Sequence, residues 1–211
     1  MPALSSFGTV FSVWDAVVSW NRWGVELSRN EYEPYNAAYP ILWPAVWSLI
    51  YEAQGSTTLW FIAKASIAAP LLATAFLIAD QIKRPHLVSG AILALLAALV
   101  FSTQTSMVVS GYMDLPLAMT GLGALVLLIH AVDEPFNERR DELFMLAVIT
   151  SAVAIITKQA WIIFAGIVGL CLLYETFLRR VAITKLLLYG LIVFFPLVAY
   201  LHMYFGLEAN A

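Results

Sequence analysis

Residues 84–133, RPHLVSGAILALLAALVFSTQTSMVVSGYMDLPLAMTGLGALVLLIHAVD, decide the fold, because Asp114 is the only charged residue between Arg84 and Asp133. Crossing about 30 Å of hydrocarbon takes roughly 20 helical residues. The stretch offers two such runs, 87–106 and 115–132, on either side of Gly111-Tyr112-Met113-Asp114-Leu115-Pro116. It predicts two membrane-spanning helices separated by one short polar turn.

Working outward, the other charges fence off similar runs. The run at 57–80 carries only Lys64 between Glu52 and its closing Asp80, 143–157 and 160–178 are shorter apolar runs, and a last one covers 186–206. The expected architecture is all-α, a polytopic transmembrane helix bundle of about six spans. The two shorter runs meet at Thr157-Lys158-Gln159 and read as a hairpin whose tip lies at or just inside one membrane face. Composition agrees: of 211 residues, 62% are apolar and 12% charged, where a soluble domain carries about 25% charged residues. Mean hydropathy is +0.84. The net charge of −3 lacks the basic footprint of a nucleic-acid binder, so DNA and RNA drop out as partners. A single cysteine, Cys171, leaves neither a disulfide framework nor a zinc site of paired thiolates and reads as a small packing residue.

Short cytoplasmic loops accumulate Lys and Arg. Threading six spans puts Lys83, Arg84, Arg139, Arg140, Arg179, Arg180 and Lys185, seven of the eleven cations, on one side, with residues 133–142 as a polar inner loop. Residues 14–56, the Asp114 turn and the Lys158 tip fall outside. The expected division is an outer-face segment at 1–56, carrying interfacial helices, and a transmembrane bundle at 57–211. Residues 1–13 lack a signal-peptide n-region and are too short to cross a bilayer. They read as a chain starting on the outer face or, the favoured expectation, as the end of a first span in a fragment.

The outer segment carries the most information. Asp15, Ser19, Arg22 and Glu26 recur at i, i+4, i+7 and i+11, while Val13, Val17, Trp20 and Gly24 form another face. This is helical spacing with a narrow polar stripe. Pro40 and Pro44 bracket a second amphipathic segment, Ile41 to Glu52. Five of the seven tryptophans (Trp14, Trp20, Trp23, Trp43 and Trp47) lie in these two segments. The reading is a pair of helices in the interface plane with tryptophans at headgroup depth. Asp114 and Lys158 are ionisable groups next to apolar spans, which default to functional hypotheses. Asp114 also suits an N-cap for the following span. For Lys64, snorkelling to the interface is favoured over ligand contact.

The run Trp14-Asp15-Ala16-Val17-Val18-Ser19-Trp20-Asn21-Arg22-Trp23, then Tyr39-Pro40, Trp43-Pro44 and Trp47-Ser48-Leu49, then Tyr112-x-Asp114-x-Pro116 and Thr157-Lys158-Gln159, resembles the membrane module of C-type (GT-C) glycosyltransferases. The likeness is to bacterial members related to protein O-mannosyltransferases and to the aminoarabinose transferase of lipid A. The resemblance covers most of the chain and rests on the ordered set rather than on one motif. It implies that Asp15 and Asp114 match the acidic residues of two successive outer loops and that Lys158 matches a Lys-containing turn. It also implies a multi-pass protein of the inner (plasma) membrane whose active face is periplasmic or extracellular. A complete first span and the family's C-terminal outer domain are not matched, which leaves acceptor recognition unread.

Transfer of a sugar from a polyprenyl phosphate to a hydroxyl or amine needs a base at the nucleophile and positive charge at the departing phosphate. Phosphate leaves as a stable anion, so no general acid is required. The resemblance gives Asp15 the base role, with inversion at the anomeric carbon. Lys158 with Arg22 and Lys64, and Tyr112 and Gln159 beside them, are expected at the donor. Asp114 orients the acceptor, holds a cation, or contributes to a divalent metal site; the three roles stay open. No cofactor is otherwise expected, since His86, His130 and His202 lie toward the inner face or late in the chain. The expected partners are the lipid-linked donor, an envelope glycan, lipid or protein acceptor, and membrane lipid. The rivals are a small-molecule transporter, which would show broken helices or repeated halves, and a non-catalytic assembly subunit built on small-residue faces such as Gly121-Leu122-Gly123-Ala124.

Overall fold

The computed structural model describes residues 11, 13–32, 40–81, 110–134 and 138–158, with positions 166, 169–170, 173, 184–185, 187–193, 195 and 198. Among the described residues every regular element is helical: a π-helical turn Ala16–Trp20, α1 Asn21–Ser28, α2 Leu42–Gln54, α3 Trp60–Ile67, α4 Ala69–Gln81, α5 Asp114–Asp133 and α6 Glu138–Ile155. The chain is all-α. Among the described residues two stretches are long and apolar enough to cross a membrane, Trp60–Ile78 and Asp114–Asp133; they coincide with the runs expected at 57–80 and 115–132. The expected span 87–106, Gln159, Cys171, His86, His202, Lys83, Arg84, Arg179 and Arg180 lie outside the described residues, as do most of 160–178 and about half of 186–206.

Contacts divide the chain into two compact units, Met1–Asn36 with Ile41–Met119, and Ala37–Pro40 with Thr120–Ala211. The first is built around α1 and α2, the most extensively packed pair. On α2, Trp43, Trp47 and Tyr51 fall at i, i+4 and i+8, which puts them on one face, and all three are buried. Facing them are Trp20, Trp23 and Gly24. A Cβ on Gly24 would lie 3.1 Å from Trp47 Cβ, so the missing side chain is what lets the helices close. The Tyr51 hydroxyl donates to Asn21 Oδ1, and Trp47 Nε1 donates to Ser66 Oγ at 3.1 Å, tying α2 to α3. Both helices end in a left-handed residue, Asn30 and Gly55, with Glu31 N donating to Glu26 O and Ser56 N to Tyr51 O. These wrap-back bonds satisfy carbonyls that a helix end leaves orphaned.

Three sequence expectations change here. The five tryptophans are not a lipid-facing platform: Trp20, Trp23, Trp43 and Trp47 are buried within the protein and Trp14 alone of the five is exposed. Large aromatic surfaces gain more from mutual burial than from the interface once two such helices pair. Val17, assigned to the apolar face, is exposed, and Ala16 is buried in its place. The π-helical turn holds more residues per turn than an α-helix and rotates the preceding positions. Lys64 does not snorkel; it is 2% exposed, packed inside the first unit. Within Trp60–Ile78, Ala68 separates α3 from α4 at a proline kink. Pro70 lacks the N–H that would continue the ladder, and Ala68 N bonds back only three residues, to Ala65 O at 3.0 Å.

In the second unit, α6 starts at Glu138, so part of the expected polar loop 133–142 is helical. Arg140 explains why. Its side chain is buried, Nε donates to Ala131 O at 2.9 Å, and the guanidinium lies 5.5 Å from the Phe144 ring centroid. A cation that satisfies a carbonyl in the last turn of α5 stabilises that terminus, and its stem packs on the first turns of α6. The run expected as a span at 143–157 is therefore the apolar end of an amphipathic-to-apolar helix.

Candidate functional site

Phe11 is the centre of a constellation made by Trp47, Lys64 and Gly111. It is buried and stacks on Trp47 with ring centroids 4.8 Å apart. Lys64 Nζ lies 5.2 Å from the centroid of the same ring. A buried ammonium over an aromatic face is favoured by the ring quadrupole, and more so when water is excluded. The neighbouring Ser66 hydroxyl bonds to Ala63 O and receives Trp47 Nε1, which fixes the turn of α3 that carries Lys64.

Against Phe11 lies the turn before α5. Gly111 has φ 92°, and a Cβ built there would stand 2.5 Å from Ala16 Cβ and 2.9 Å from Phe11 Cδ1. Only glycine fits, both for its backbone and for its distance. The turn carrying Tyr112 and Asp114 is thereby seated on the residue that follows Asp15. Asp15 itself is half-buried and enters the π-helical turn with helical angles, φ −58° and ψ −38°, without capping it through its side chain. Asn21 N closes that turn on Ala16 O, five residues back. Single π-helical turns inside helices recur at functional sites. Asp114 is exposed and is the first helical residue of α5; Met113 O accepts the first helical bond, from Leu117 N at 3.1 Å, so the N-cap is Met113 and not Asp114. Its carboxylate still sits at the positive end of the helix dipole.

The first unit thus holds Asp15, Lys64 and the turn with Tyr112 and Asp114, and Gly111 of that turn meets Ala16 and Phe11. Arg22, expected at the donor phosphate, is half-exposed on α1 and pairs with Glu26 at 2.5 Å. The other Glu26 oxygen, Oε2, is buried without a hydrogen-bond partner among the described residues. Lys158 belongs to the second unit, where α6 ends at Ile155 and Thr157 turns the chain by bonding Thr157 N to Ala154 O at 3.1 Å and Oγ1 to Val153 O at 2.7 Å. Among the described residues no three His, Cys, Asp or Glu side chains converge, so Asp114 gains no ligand set for a divalent metal there.

A polar cavity of about 400 Å³ lies where α1 and α2 end, with Arg29 Nη2 donating to Thr57 Oγ1 at 3.4 Å on its wall. At about 1.5 Å per residue it lies roughly 20 Å along the helix from Asp15, and is separate from the Phe11 constellation. Phe11 and Gly111 were not singled out by the sequence reading. The signal for Gly111 was present, a glycine three residues before a helix start at Asp114-Leu115-Pro116. Nothing marked Phe11, which stands in the segment read as a span remnant. Comparison with family models, with curated proteins and with solved structures gives no match to this chain.

Proposed function

We propose that the chain is the membrane module of a glycosyltransferase of the C-type architecture, working at the outer face of the plasma membrane on a polyprenyl-phosphate sugar. The observation that carries this reading is the seating of Gly111 on Ala16. It joins the two acidic turns that the resemblance makes catalytic, with the buried Lys64 ammonium on the same aromatic hub. Membrane residence is supported by the two long apolar helices, of which 39% and 56% of residues are buried within the protein. A soluble core helix hides most of its surface, whereas Phe61, Phe76 and Ile129 on these helices stay more than half exposed. The remaining spans, the six-span count and the sidedness belong to this proposal.

In the reaction, the acceptor oxygen or nitrogen attacks the anomeric carbon as the carbon–oxygen bond to phosphate breaks. The bonding pair leaves with the polyprenyl phosphate, and the acceptor proton passes to Asp15. Configuration inverts. Lys64 acts as a fixed positive charge in a water-poor setting, where it counts for more than in bulk water. Lys158 is assigned to the donor phosphate by the resemblance alone. The transporter reading draws on one observation, the Pro70 interruption within Trp60–Ile78. A proline kink with its ladder resumed by Leu72 N on Ala68 O does not unwind the backbone as a midplane ion site does.

Binding of an undecaprenyl-phosphate sugar to the purified protein in detergent tests the reading. Saturable binding that Lys158→Ala and Lys64→Met each weaken by about tenfold, the loss of one charged contact, is the expected result. No binding by the parent protein sinks it.

A further inference from the structure

The second unit carries a groove shaped like an amphiphile. A cavity of about 510 Å³, within the roughly 300–1,000 Å³ of small-molecule sites, opens between α6 and the helical residues from 184 onward. Its body is apolar: Met145 and Leu146 on one wall, Leu188 on the other, and buried Tyr189 as floor. Tyr189 is held by stacking on Phe144, centroids 6.4 Å apart and planes 17° from parallel. Its mouth is charged. Asp141 and Glu142 precede Met145 by one helical turn, and Lys185 precedes Leu188 and Tyr189 in the same way. Both walls therefore run from charge to hydrocarbon in the same chain direction.

The charges at the mouth select a headgroup. Lys185 pairs with Asp141, each side chain about half exposed, and the hydrogen bond to Asp141 pushes the Lys185 ammonium up, keeping it cationic. Glu142 is exposed with no hydrogen bond or ion pair among the described residues. One cation and two carboxylates complement a headgroup that carries both a phosphate and an ammonium. They oppose one that carries only negative charge. An exposed ion pair contributes little by itself, so it exchanges partners readily. Around the groove Leu187, Leu191 and Phe195 are strongly exposed, as expected where acyl chains cover a helix.

We propose that this groove seats a glycerophospholipid with a primary-amine headgroup, of the phosphatidylethanolamine class. Its phosphate lies at Lys185, its ammonium between Asp141 and Glu142, and one acyl chain along Met145, Leu146 and Leu188. The site lies outside the Phe11 constellation and rests on the membrane reading, not on the transfer chemistry.

The test uses the full chain, extracted from membranes, delipidated in detergent and titrated with phosphatidylethanolamine, phosphatidylcholine or phosphatidylglycerol, with bound lipid counted by native mass spectrometry. The expected result is retention of phosphatidylethanolamine at least about tenfold over the other two, the worth of one charge-assisted hydrogen bond. Glu142→Gln, an exposed change that leaves helix content intact by circular dichroism, should bring phosphatidylethanolamine down to the level of phosphatidylcholine. Leu146→Trp, which fills the groove from its exposed rim, should reduce retention of all three. Equal retention of the three lipids, or a preference for phosphatidylglycerol, overturns the headgroup assignment while leaving membrane residence standing. Recovery of the protein in the soluble fraction without detergent overturns both.

Discussion

At the scale of residues, the proposed site depends on two that carry no chemistry. Gly111 allows the turn before α5 to rest on Ala16, and Phe11 gives Lys64 and Trp47 a common partner. Gly111→Ala should therefore act like a distant lesion of Asp15 and Asp114. It adds a left-handed penalty of about 1–2 kcal/mol to an overpacking cost of about 1–3 kcal/mol. The expected outcome is a thermal midpoint in detergent several degrees below the parent and loss of donor binding, although no ionisable group has changed. A variant with parent-like stability and binding would show that this contact does not build the site. Asp114 and Lys158 stand out in the sequence as ionisable groups beside apolar runs, and Asp15 enters through the resemblance. The conditions that seat them were not, because close approach of Gly111 and burial of Phe11 arise only when segments about a hundred residues apart meet.

At the scale of elements, periodicity located both amphipathic helices but mistook what their tryptophans do. A stripe of Trp at helical spacing fits a headgroup layer and a packed helix pair equally well. The choice was made by Gly24, whose missing side chain lets α1 close on Trp47 and Pro44. The pair has a titratable reporter. Burial pushes the Tyr51 phenol above its ordinary value, while its hydroxyl donates to Asn21. A phenol whose folded-state pKa exceeds its unfolded value contributes fully below about pH 10, and that contribution is lost as pH rises toward the folded value. Denaturant titrations monitored by tryptophan fluorescence should show stability flat to about pH 9 and falling above pH 10. Tyr51→Phe should cost about 1 kcal/mol at neutral pH and remove its part of the alkaline fall; an unchanged fall would dissociate Tyr51 from it. Similarly, α6 reaches back to Glu138 because Arg140 serves a carboxyl-terminal carbonyl of α5, a role that charge counting assigned to a loop.

At the scale of the whole molecule, the all-α class followed from composition, since a chain this apolar satisfies its backbone within helices. Two of the runs fenced by charge are long apolar helices, and the rest of the threading is carried by the cation asymmetry. In a Cys171→Ser background, Thr57→Cys should react with an impermeant maleimide from outside intact cells. Arg139→Cys should react only after permeabilisation. Labelling of both from the same side would break the sidedness on which the outer active face depends.

The account turns on Asp15 as the base that accepts the acceptor's proton. The most direct measurement is transfer of labelled sugar from a polyprenyl-phosphate donor to an acceptor-containing membrane fraction, parent against Asp15→Asn, with donor binding measured in parallel. The account predicts transfer by the parent and a fall of about 100-fold or more in the variant, the usual contribution of a positioned base, with donor affinity preserved. Transfer by Asp15→Asn at the parent's rate would contradict it.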